Sequence, residues 1–247
     1  MSEADGSSTG PPGWLRPLAE AAAAVRPEQL SRFLPPEEGG RASAVLMLFG
    51  ELEPSRRAAT PTASAVPTGG GGVDVPVPPP GDVLLIERAH DMRSHAGQVA
   101  FPGGAVDPED DHLVAAALRE AQEETGLDPA GVEVLTELPA LFLPPSGFVV
   151  TPVLAWWREP SPVSVVDTRE VASVHRVPLA ELLDPANRLQ VTHPSGYIGP
   201  AFTVAGLLVW GFTAGLIDRL LRLAGWEQPW DRGRHMQVPP HMLGARQ

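Results

Sequence analysis

An acidic run at residues 119–126 carries the strongest chemical signal in this 247-residue sequence. Glu120, Glu123 and Glu124 stand at i, i+3 and i+4, so a helix would project all three from one face. Like charges at this spacing repel one another, whereas a hard divalent cation such as Mg²⁺ prefers oxygen ligands. The spacing therefore indicates either a magnesium site or a solvated acidic helix face.

Two features beside the glutamates favour the metal site. Arg119 stands four residues before Glu123 and can pair with it along a helix. Gly103 and Gly104 precede the acidic run and allow a tight turn, which could aim a backbone carbonyl at the same ion. Together, these features favour a metal site over a solvated acidic face.

The helix that would carry these residues is predicted over residues 111–125. Asp110 or Asp111 can cap its start, and Gly126 can end it. Its remaining positions are largely apolar: Leu113, Val114, Ala116, Ala117, Leu118 and Ala121. Such a helix would pack against a core and direct its acidic face to one place.

Strand and helix patterns alternate around this helix. Strands are predicted over residues 44–49, 83–88, 132–143, 148–157 and 170–177, and further helices over 14–34, 179–183 and 203–223. This mixture predicts an α/β or α+β fold. We expect a single domain at residues 14–228, with a disordered segment at 1–13, a Pro/Gly-rich inserted loop at 58–80 and a Pro-containing tail at 229–247.

Composition excludes several classes of function. A net charge of −12 argues against general binding to nucleic acid or to anionic membranes. Because the sequence has no Cys, it cannot form a disulfide framework, a thiol nucleophile or a zinc thiolate site. The sequence does not open on a secretory signal pattern, and its uncharged run at 201–217 is predicted to be a core helix.

The acidic run resembles the Nudix box, the loop-helix-loop signature of Nudix hydrolases. The matching positions of its second half are Arg119, Glu120, Ala121, Glu123, Glu124, Gly126 and Leu127. The stretch from Gly104 to Arg119 is one residue longer than in the common form, and Asp110 or Asp111 replaces its intermediate Glu.

The extra residue is typical of a branch that resembles coenzyme A diphosphatases, and residues 84–104 are similar to the upstream motif of that branch. The matching positions are Leu84, Leu85, Arg88, Arg93, His95, Gly97, Gln98, Val99 and the four residues 101–104. Ile86 and Ala89 depart from the Thr and Ser of the motif. Residues 146–153 also resemble this branch.

The resemblance implies a Nudix fold, a mixed β-sheet sandwiched between helices, and a hydrolase that depends on Mg²⁺ or Mn²⁺. The implied reaction cleaves the diphosphate of coenzyme A or its derivatives to 3′,5′-ADP and 4′-phosphopantetheine. Glu120 and Glu124 would be direct metal ligands, with Glu123 third and the Gly103 carbonyl alongside. The general base stays open between Glu123 and Glu124, and Arg119 would hold the glutamates in place.

The substrate contacts implied for the phosphate groups are Arg88, Arg93 and His95, with Gly104 also assigned to substrate binding. Arg suits phosphate because its planar fork presents paired donors. The alternative is that Arg88 and His95 only brace the loop that precedes the box.

Two other functions stay open at this point. One is a Nudix hydrolase for ADP-ribose, a dinucleotide or a nucleoside triphosphate. The other is an inactive Nudix fold that senses a nucleotide or binds a protein. The resemblance implies a small nucleotide as partner, cytoplasmic residence, neither nucleic acid nor membrane as partner, and allows a homodimer.

Overall fold

A computed structural model of the chain describes residues 10–52, 77–92 and 95–243. Its first elements are α1 (Arg16–Ala23), α2 (Pro27–Leu30), β1 (Arg41–Glu51), β2 (Gly81–Arg88), β3 (Val99–Ala100), β4 (Gly103–Ala105) and α3 (Leu113–Thr125). They are followed by β5 (Val132–Glu137), β6 (Leu141–Leu143), β7 (Phe148–Trp157), β8 (Val171–Pro178) and α4 (Leu179–Leu183). The last are β9 (Arg188–Thr192), β10 (Ile198–Val204), β11 (Leu207–Val209), α5 (Gly211–Leu223) and β12 (His235–Gln237).

The larger sheet is mixed and is built around β1. Its main strand order is β3-β2-β1-β7-β5, while β4, β6 and β8 pair with β1, β7 and β2 respectively. The β1–β7 pair is parallel, and the β1–β2 pair is antiparallel. β4 places Gly103 opposite Val45 and Gly104 opposite Ala44, so the two glycines before α3 are held against the central strand.

Alternate residues of β1 supply two separate cores. Ala44, Leu46 and Leu48 face the small side chains of α3, whereas Met47 and Phe49 face the side that α1 and α5 cover. This alternation is the two-residue period of a strand that is buried on both faces. The mixed sheet therefore lies between helices, as the resemblance implies.

The smaller sheet joins the C-terminal residues to the domain. Its strand order is β11-β10-β9-β12, and β12 runs parallel to β9. Val238 and Met242 are buried in a third apolar cluster on this sheet. Part of the segment expected to be a tail thus packs against the domain.

The prediction of one helix over residues 203–223 is wrong for the first part of that range. Residues up to Val204 belong to β10, and residues 207–209 form β11, so that α5 begins only at Gly211. Ala205 and Gly206 have φ values of 50° and 76° and form the turn that joins the two strands. Short apolar runs fit either a strand or a helix, and here pairing with β9 decides in favour of strands.

The helix predicted over residues 14–34 is two short helices, α1 and α2, and the remaining predicted elements differ mainly at their ends. The predicted strand over 132–143 is divided into β5 and β6, both of which pair with β7. Residues 1–9 and 53–76 lie outside the described residues, and with them most of the predicted disordered segment and inserted loop. Within the described ranges, the helices are too short or too polar to cross a membrane.

Candidate active site

Helix α3 positions the acidic residues because its inner face is made of small side chains. Ala116, Ala117 and Ala121 are fully buried against the central strands. The helix is capped by His112, whose Nδ1 accepts a hydrogen bond from the Ala115 backbone N–H at 3.0 Å. The prediction of Asp110 or Asp111 as the cap is therefore wrong, because the helix begins two residues later than the predicted start.

Glu124 is the most deeply placed of the three glutamates. Only 2% of it is exposed, and its Oε2 accepts a hydrogen bond from the Gly103 backbone N–H at 2.9 Å. Burial raises the pKa of the Glu124 carboxyl to about 8, because the charged form has lost most of its water. The structure thus holds a carboxylate where its charge is unfavourable without a cation.

Glu120 lies beside Glu124 and against the glycine pair. A Cβ at Gly104 would lie 2.5 Å from the Glu120 carboxylate, so a side chain there would collide with this group. Gly103 has a φ of +154°, and a Cβ on it would lie 2.3 Å from the Ala44 carbonyl oxygen. Burial also raises the pKa of the Glu120 carboxyl, although its pairing with Arg119 opposes that effect.

Arg119 connects the loop before α3 to the acidic face. Its Nε and Nη2 donate to the two oxygens of Asp110, each at 3.0 Å, and Nη2 also donates to the Ala105 carbonyl oxygen at 3.2 Å. Its Nη1 donates to Glu120 at 3.0 Å and to Glu123 at 3.1 Å. The Arg119 hydrogen bonds lower the pKa of Asp110, which identifies Asp110 rather than Asp111 as the acidic partner.

Glu123 differs from the other two glutamates in its exposure. Its side chain is 60% exposed, against 16% for the side chain of Glu120. Its pairing with Arg119 is the one that the sequence spacing predicts. The three carboxylates share one helix face, but only Glu120 and Glu124 are enclosed by the protein.

The upstream motif brings Arg88 to the same place. Arg88 ends β2, and its positive charge opposes the effect of burial by lowering the pKa of Glu124. Its Nε is buried and has no hydrogen-bond partner among the described residues. An arginine with an unused buried donor beside an enclosed carboxylate is suited to hold an anionic group.

The other predicted substrate contacts are placed less directly. His95 is exposed, has a φ of 57°, and its Nδ1 lies 2.9 Å from the Gln98 Oε1. Gly104 lies against Glu120, as described above. Arg93 falls outside the described residues.

Glu170 is a neighbour of the site that sequence reasoning missed. Its charge raises the pKa of both Glu120 and Glu124, although burial is the larger cause in each case. Its backbone carbonyl accepts a hydrogen bond from the Ala89 N–H at 2.9 Å, which fixes it next to the end of β2. No local pattern signals this approach, because it depends on the pairing of β8 with β2.

The donor set fits a hard divalent cation. The available groups are carboxylate oxygens, and the two enclosed carboxyls have raised pKa values that a bound cation would lower. Among the described residues, the acidic and histidine side chains do not already form a cluster of three that could bind a metal. One oxygen of Glu120 and one oxygen of Glu123 accept hydrogen bonds from Arg119, and the second oxygen of each carboxylate is not used by it.

Comparison with known proteins agrees with this arrangement. The NUDIX domain model matches residues 70–196, which is more than half of the chain. The "Uncharacterized Nudix hydrolase NudL" of Cronobacter sakazakii is 45% identical over 159 residues, covering 62% of this chain and 79% of that protein. Its namesake in Citrobacter koseri is 45% identical over 145 residues, covering 56% of this chain and 72% of that protein.

Among solved structures, a Nudix hydrolase from M. smegmatis, RenU, is 20% identical to this chain. The alignment covers 81% of this chain and 98% of that one, with a TM-score of 0.46. The domain match and the similar proteins, together with the acidic helix and glycine pair already described, show that this chain belongs to the Nudix hydrolase family.

Proposed function

We propose that this enzyme hydrolyses the diphosphate bond of coenzyme A or of its derivatives, giving 3′,5′-ADP and 4′-phosphopantetheine. The observation that carries the proposal is the contact between the upstream motif and the acidic helix: the Gly103 N–H donates to Glu124 at 2.9 Å, and the charge of Arg88 lowers the pKa of Glu124. A motif and a metal helix that meet in space can act on one substrate. The match of residues 84–104 to the coenzyme A branch then favours that substrate class.

The two departures from the upstream motif lie at buried positions. Ile86 is fully buried, and Ala89 is only 4% exposed. Neither side chain is exposed, so replacement of the motif's Thr and Ser leaves the solvent-exposed surface unchanged. We therefore do not expect Ile86 and Ala89 to redirect the enzyme to another nucleotide.

We assign metal binding to Glu120 and Glu124, with Glu123 and the Gly103 carbonyl as further ligands. The family's divalent metals include Mg²⁺, and we propose Mg²⁺, or Mn²⁺ in its place, for this chain. When bound, the ion would neutralise charge on the phosphate oxygens. Besides its carbonyl, Gly103 has a backbone N–H that donates to Glu124, and this hydrogen bond orients the Glu124 carboxylate.

The remaining residues would orient the substrate and the attacking water. Arg88 has a buried Nε that can donate to a phosphate oxygen. Arg119 would restrain Glu120 and Glu123 through its shared Nη1. The proton of the attacking water would pass to Glu123 or Glu124.

Product analysis by mass spectrometry tests the substrate. Purified protein is incubated with Mg²⁺ and, separately, with coenzyme A, ADP-ribose and NADH, and the Glu124→Gln variant serves as the inactive control. We expect 3′,5′-ADP and 4′-phosphopantetheine from coenzyme A. Cleavage of ADP-ribose or NADH without cleavage of coenzyme A would contradict the substrate assignment, and metal-independent behaviour would contradict the metal site.

The family resemblance also leads us to propose a cytoplasmic enzyme, because coenzyme A and free Mg²⁺ are met together there. A homodimer is compatible with the same resemblance. Light scattering of the eluting protein would give its mass directly, against 26.1 kDa for one chain.

A further inference from the structure

The starts of β1 and β7 hold an arginine over an aromatic ring. Arg41 and Phe148 are paired across these two parallel strands, and the Arg41 guanidinium lies 4.9 Å from the centroid of the Phe148 ring. The Arg41 backbone N–H donates to the Gly147 carbonyl at 3.1 Å. Arg41 is exposed and Phe148 is half-buried, so the pair lies at an accessible end of the sheet.

The cation of this pair is not used by another charge of the protein. Within the described ranges, no carboxylate forms an ion pair with Arg41, whereas Arg119 is paired with Asp110. An exposed guanidinium stacked on a ring forms a cation–π contact that a ligand with a flat ring can share. Residues 146–153, which include the start of β7, also have no part in the proposed function. The pair is therefore available to a ligand.

The pair lies within the length of a nucleotide from the acidic helix. Ala44, three residues after Arg41 on β1, is paired with Gly104, and a Cβ at Gly104 would lie 2.5 Å from the Glu120 carboxylate. Three residues of a strand span about 10 Å. An extended nucleotide reaches about as far from its base to its diphosphate. One substrate can therefore contact both places.

The pair projects from the sheet face opposite α3. Ala44 and Leu46 pack toward α3, whereas Met47 packs toward the other face, and the alternation of strand side chains places Arg41 with Met47. Among the described strands, β4 pairs only with β1, so its other edge has no strand partner. A diphosphate held next to the glycine pair of β4 can pass this edge and extend one end of the substrate over the face that carries Arg41.

The two ends of coenzyme A differ in whether they can stack. Adenine presents two flat faces, one of which can lie on an aromatic ring while a guanidinium covers the other. The pantetheine end is an aliphatic amide chain without a ring. Phe148 and Arg41 therefore suit the adenosine end of the substrate and not the pantetheine end.

We propose that Phe148 and Arg41 bind the adenine base of the substrate, with the base inserted between the ring and the guanidinium. This inference rests on the proposed function, because it places the diphosphate at the acidic helix. It gives the substrate one direction across the site, with its adenosine toward the starts of β1 and β7. Both side chains then determine which end of the nucleotide lies there.

Calorimetric titration of two substrate fragments tests the assignment without turnover. Adenosine 5′-monophosphate and 4′-phosphopantetheine are titrated separately into the protein with Mg²⁺. Phe148→Ala should weaken binding of adenosine 5′-monophosphate about 5-fold or more and Arg41→Ala about 2- to 5-fold, and neither should change binding of 4′-phosphopantetheine. Phe148→Trp keeps a stacking face and should bind within about 2-fold of the wild type. Phe33→Ala is the matched control and should bind as the wild type does, since Arg32 lies over the Phe33 ring at a similar distance, 4.8 Å.

Equal affinity for adenosine 5′-monophosphate in the wild type, Phe148→Ala and Arg41→Ala would overturn the proposal. Weaker binding confined to 4′-phosphopantetheine would also overturn it, because the pair would then hold the opposite end of the substrate. Arg41 is exposed, so Arg41→Ala keeps the test decisive if Phe148→Ala fails to fold. Adenosine 5′-monophosphate is also a part of ADP-ribose and NADH, so failure of the coenzyme A assignment appears in the product analysis and leaves this comparison intact.

Discussion

At the scale of single residues, the site is organised by a contrast among three glutamates. Glu124 is enclosed and bonded to a backbone N–H, Glu120 is half-enclosed against Gly104, and Glu123 is largely in solvent. The contrast arises because α3 packs through its alanines, which brings the Glu124 side of the helix closest to β4. The two enclosed carboxylates are therefore the ones for which a cation would matter most.

Substitution of Glu124 should separate catalysis from folding. Glu124→Gln keeps an oxygen that can accept from the Gly103 N–H, but it removes the charge that would bind a metal or take a proton. We expect kcat to fall about 10²- to 10⁴-fold while the thermal unfolding curve is retained. Glu109→Gln, an exposed position in the preceding loop, is the control. A folded Glu124→Gln protein with wild-type turnover would remove Glu124 from the site.

The raised pKa of Glu124 also predicts how the metal-free protein responds to pH. The folded-state pKa of about 8 exceeds the ordinary value of 4.5, so between these two pH values the folded protein binds more protons than the unfolded chain. The free energy of unfolding should therefore fall as pH rises from about 4.5 to about 8, and this contribution should level off above that range. Chemical denaturation in EDTA measures it.

Two comparisons make the pH prediction specific to this carboxyl. Glu124→Gln should have a flatter dependence of unfolding free energy on pH, because the replaced group does not titrate. Added Mg²⁺ should raise stability most at the alkaline end, where Glu124 is ionised and the cation offsets its burial. An equal slope in the wild type and Glu124→Gln would show that other groups cause it.

At the scale of elements, Arg119 joins the loop after β4 to helix α3. One guanidinium contacts Asp110 with two donors and also reaches Glu120, Glu123 and the Ala105 carbonyl. These contacts set where the helix face lies relative to the glycine pair. A planar fork is required, since a single ammonium group cannot satisfy Asp110 and two glutamates from one position.

Arg119→Lys should therefore weaken catalysis although it preserves the charge. Misplacement of the acidic face relative to β4 should lower kcat/KM about 10- to 100-fold and raise the Mg²⁺ concentration needed for half-maximal rate. Steady-state assays over a Mg²⁺ titration measure both. Arg158→Lys changes an exposed arginine that pairs with Glu159 at 3.2 Å, and it should behave as wild type. Wild-type kinetics in Arg119→Lys would show that charge alone suffices.

At the scale of the whole molecule, a buried ion pair joins the smaller sheet to the last helix. Arg188 of β9 is 1% exposed and donates to Asp218 of α5, and Asp218 also accepts from Arg222 at 2.8 Å. The guanidinium lies between two rings, 5.2 Å from the Phe202 centroid and 4.7 Å from that of Trp230. The β9 strand is the same one that receives β12, so this pair supports the region that holds the C-terminal residues.

Asp218→Ala should destabilise the protein strongly because it leaves the Arg188 charge buried without its nearest partner. Breaking a buried pair costs about 3 kcal/mol or more, which lowers Tm by about 6 to 12 °C in a chain of this size. Differential scanning calorimetry gives Tm directly. Glu20→Ala, on the exposed side of α1, should shift Tm by less than about 2 °C. Equal Tm values for the two variants would contradict the proposed role of the pair.

Sequence alone was sufficient for features whose causes are local. The acidic helix, its end at Gly126, the Arg119–Glu123 pair and the burial of the alanines all follow from residues within about two or three turns of one another. The family resemblance is also local, since the motif and the box are continuous stretches of chain.

Tertiary structure alone decided the features that depend on distant chain segments. Strand pairing brings Arg88 and Glu170 to the glutamates, and docking of β12 on β9 brings Met242 to Gln98. It also made residues 203–209, predicted as helix, into the end of β10, a turn and β11. The physical reason is common to all of these cases: a short segment has no preference strong enough to resist pairing, and the free energy of that pairing comes from residues far away in the sequence.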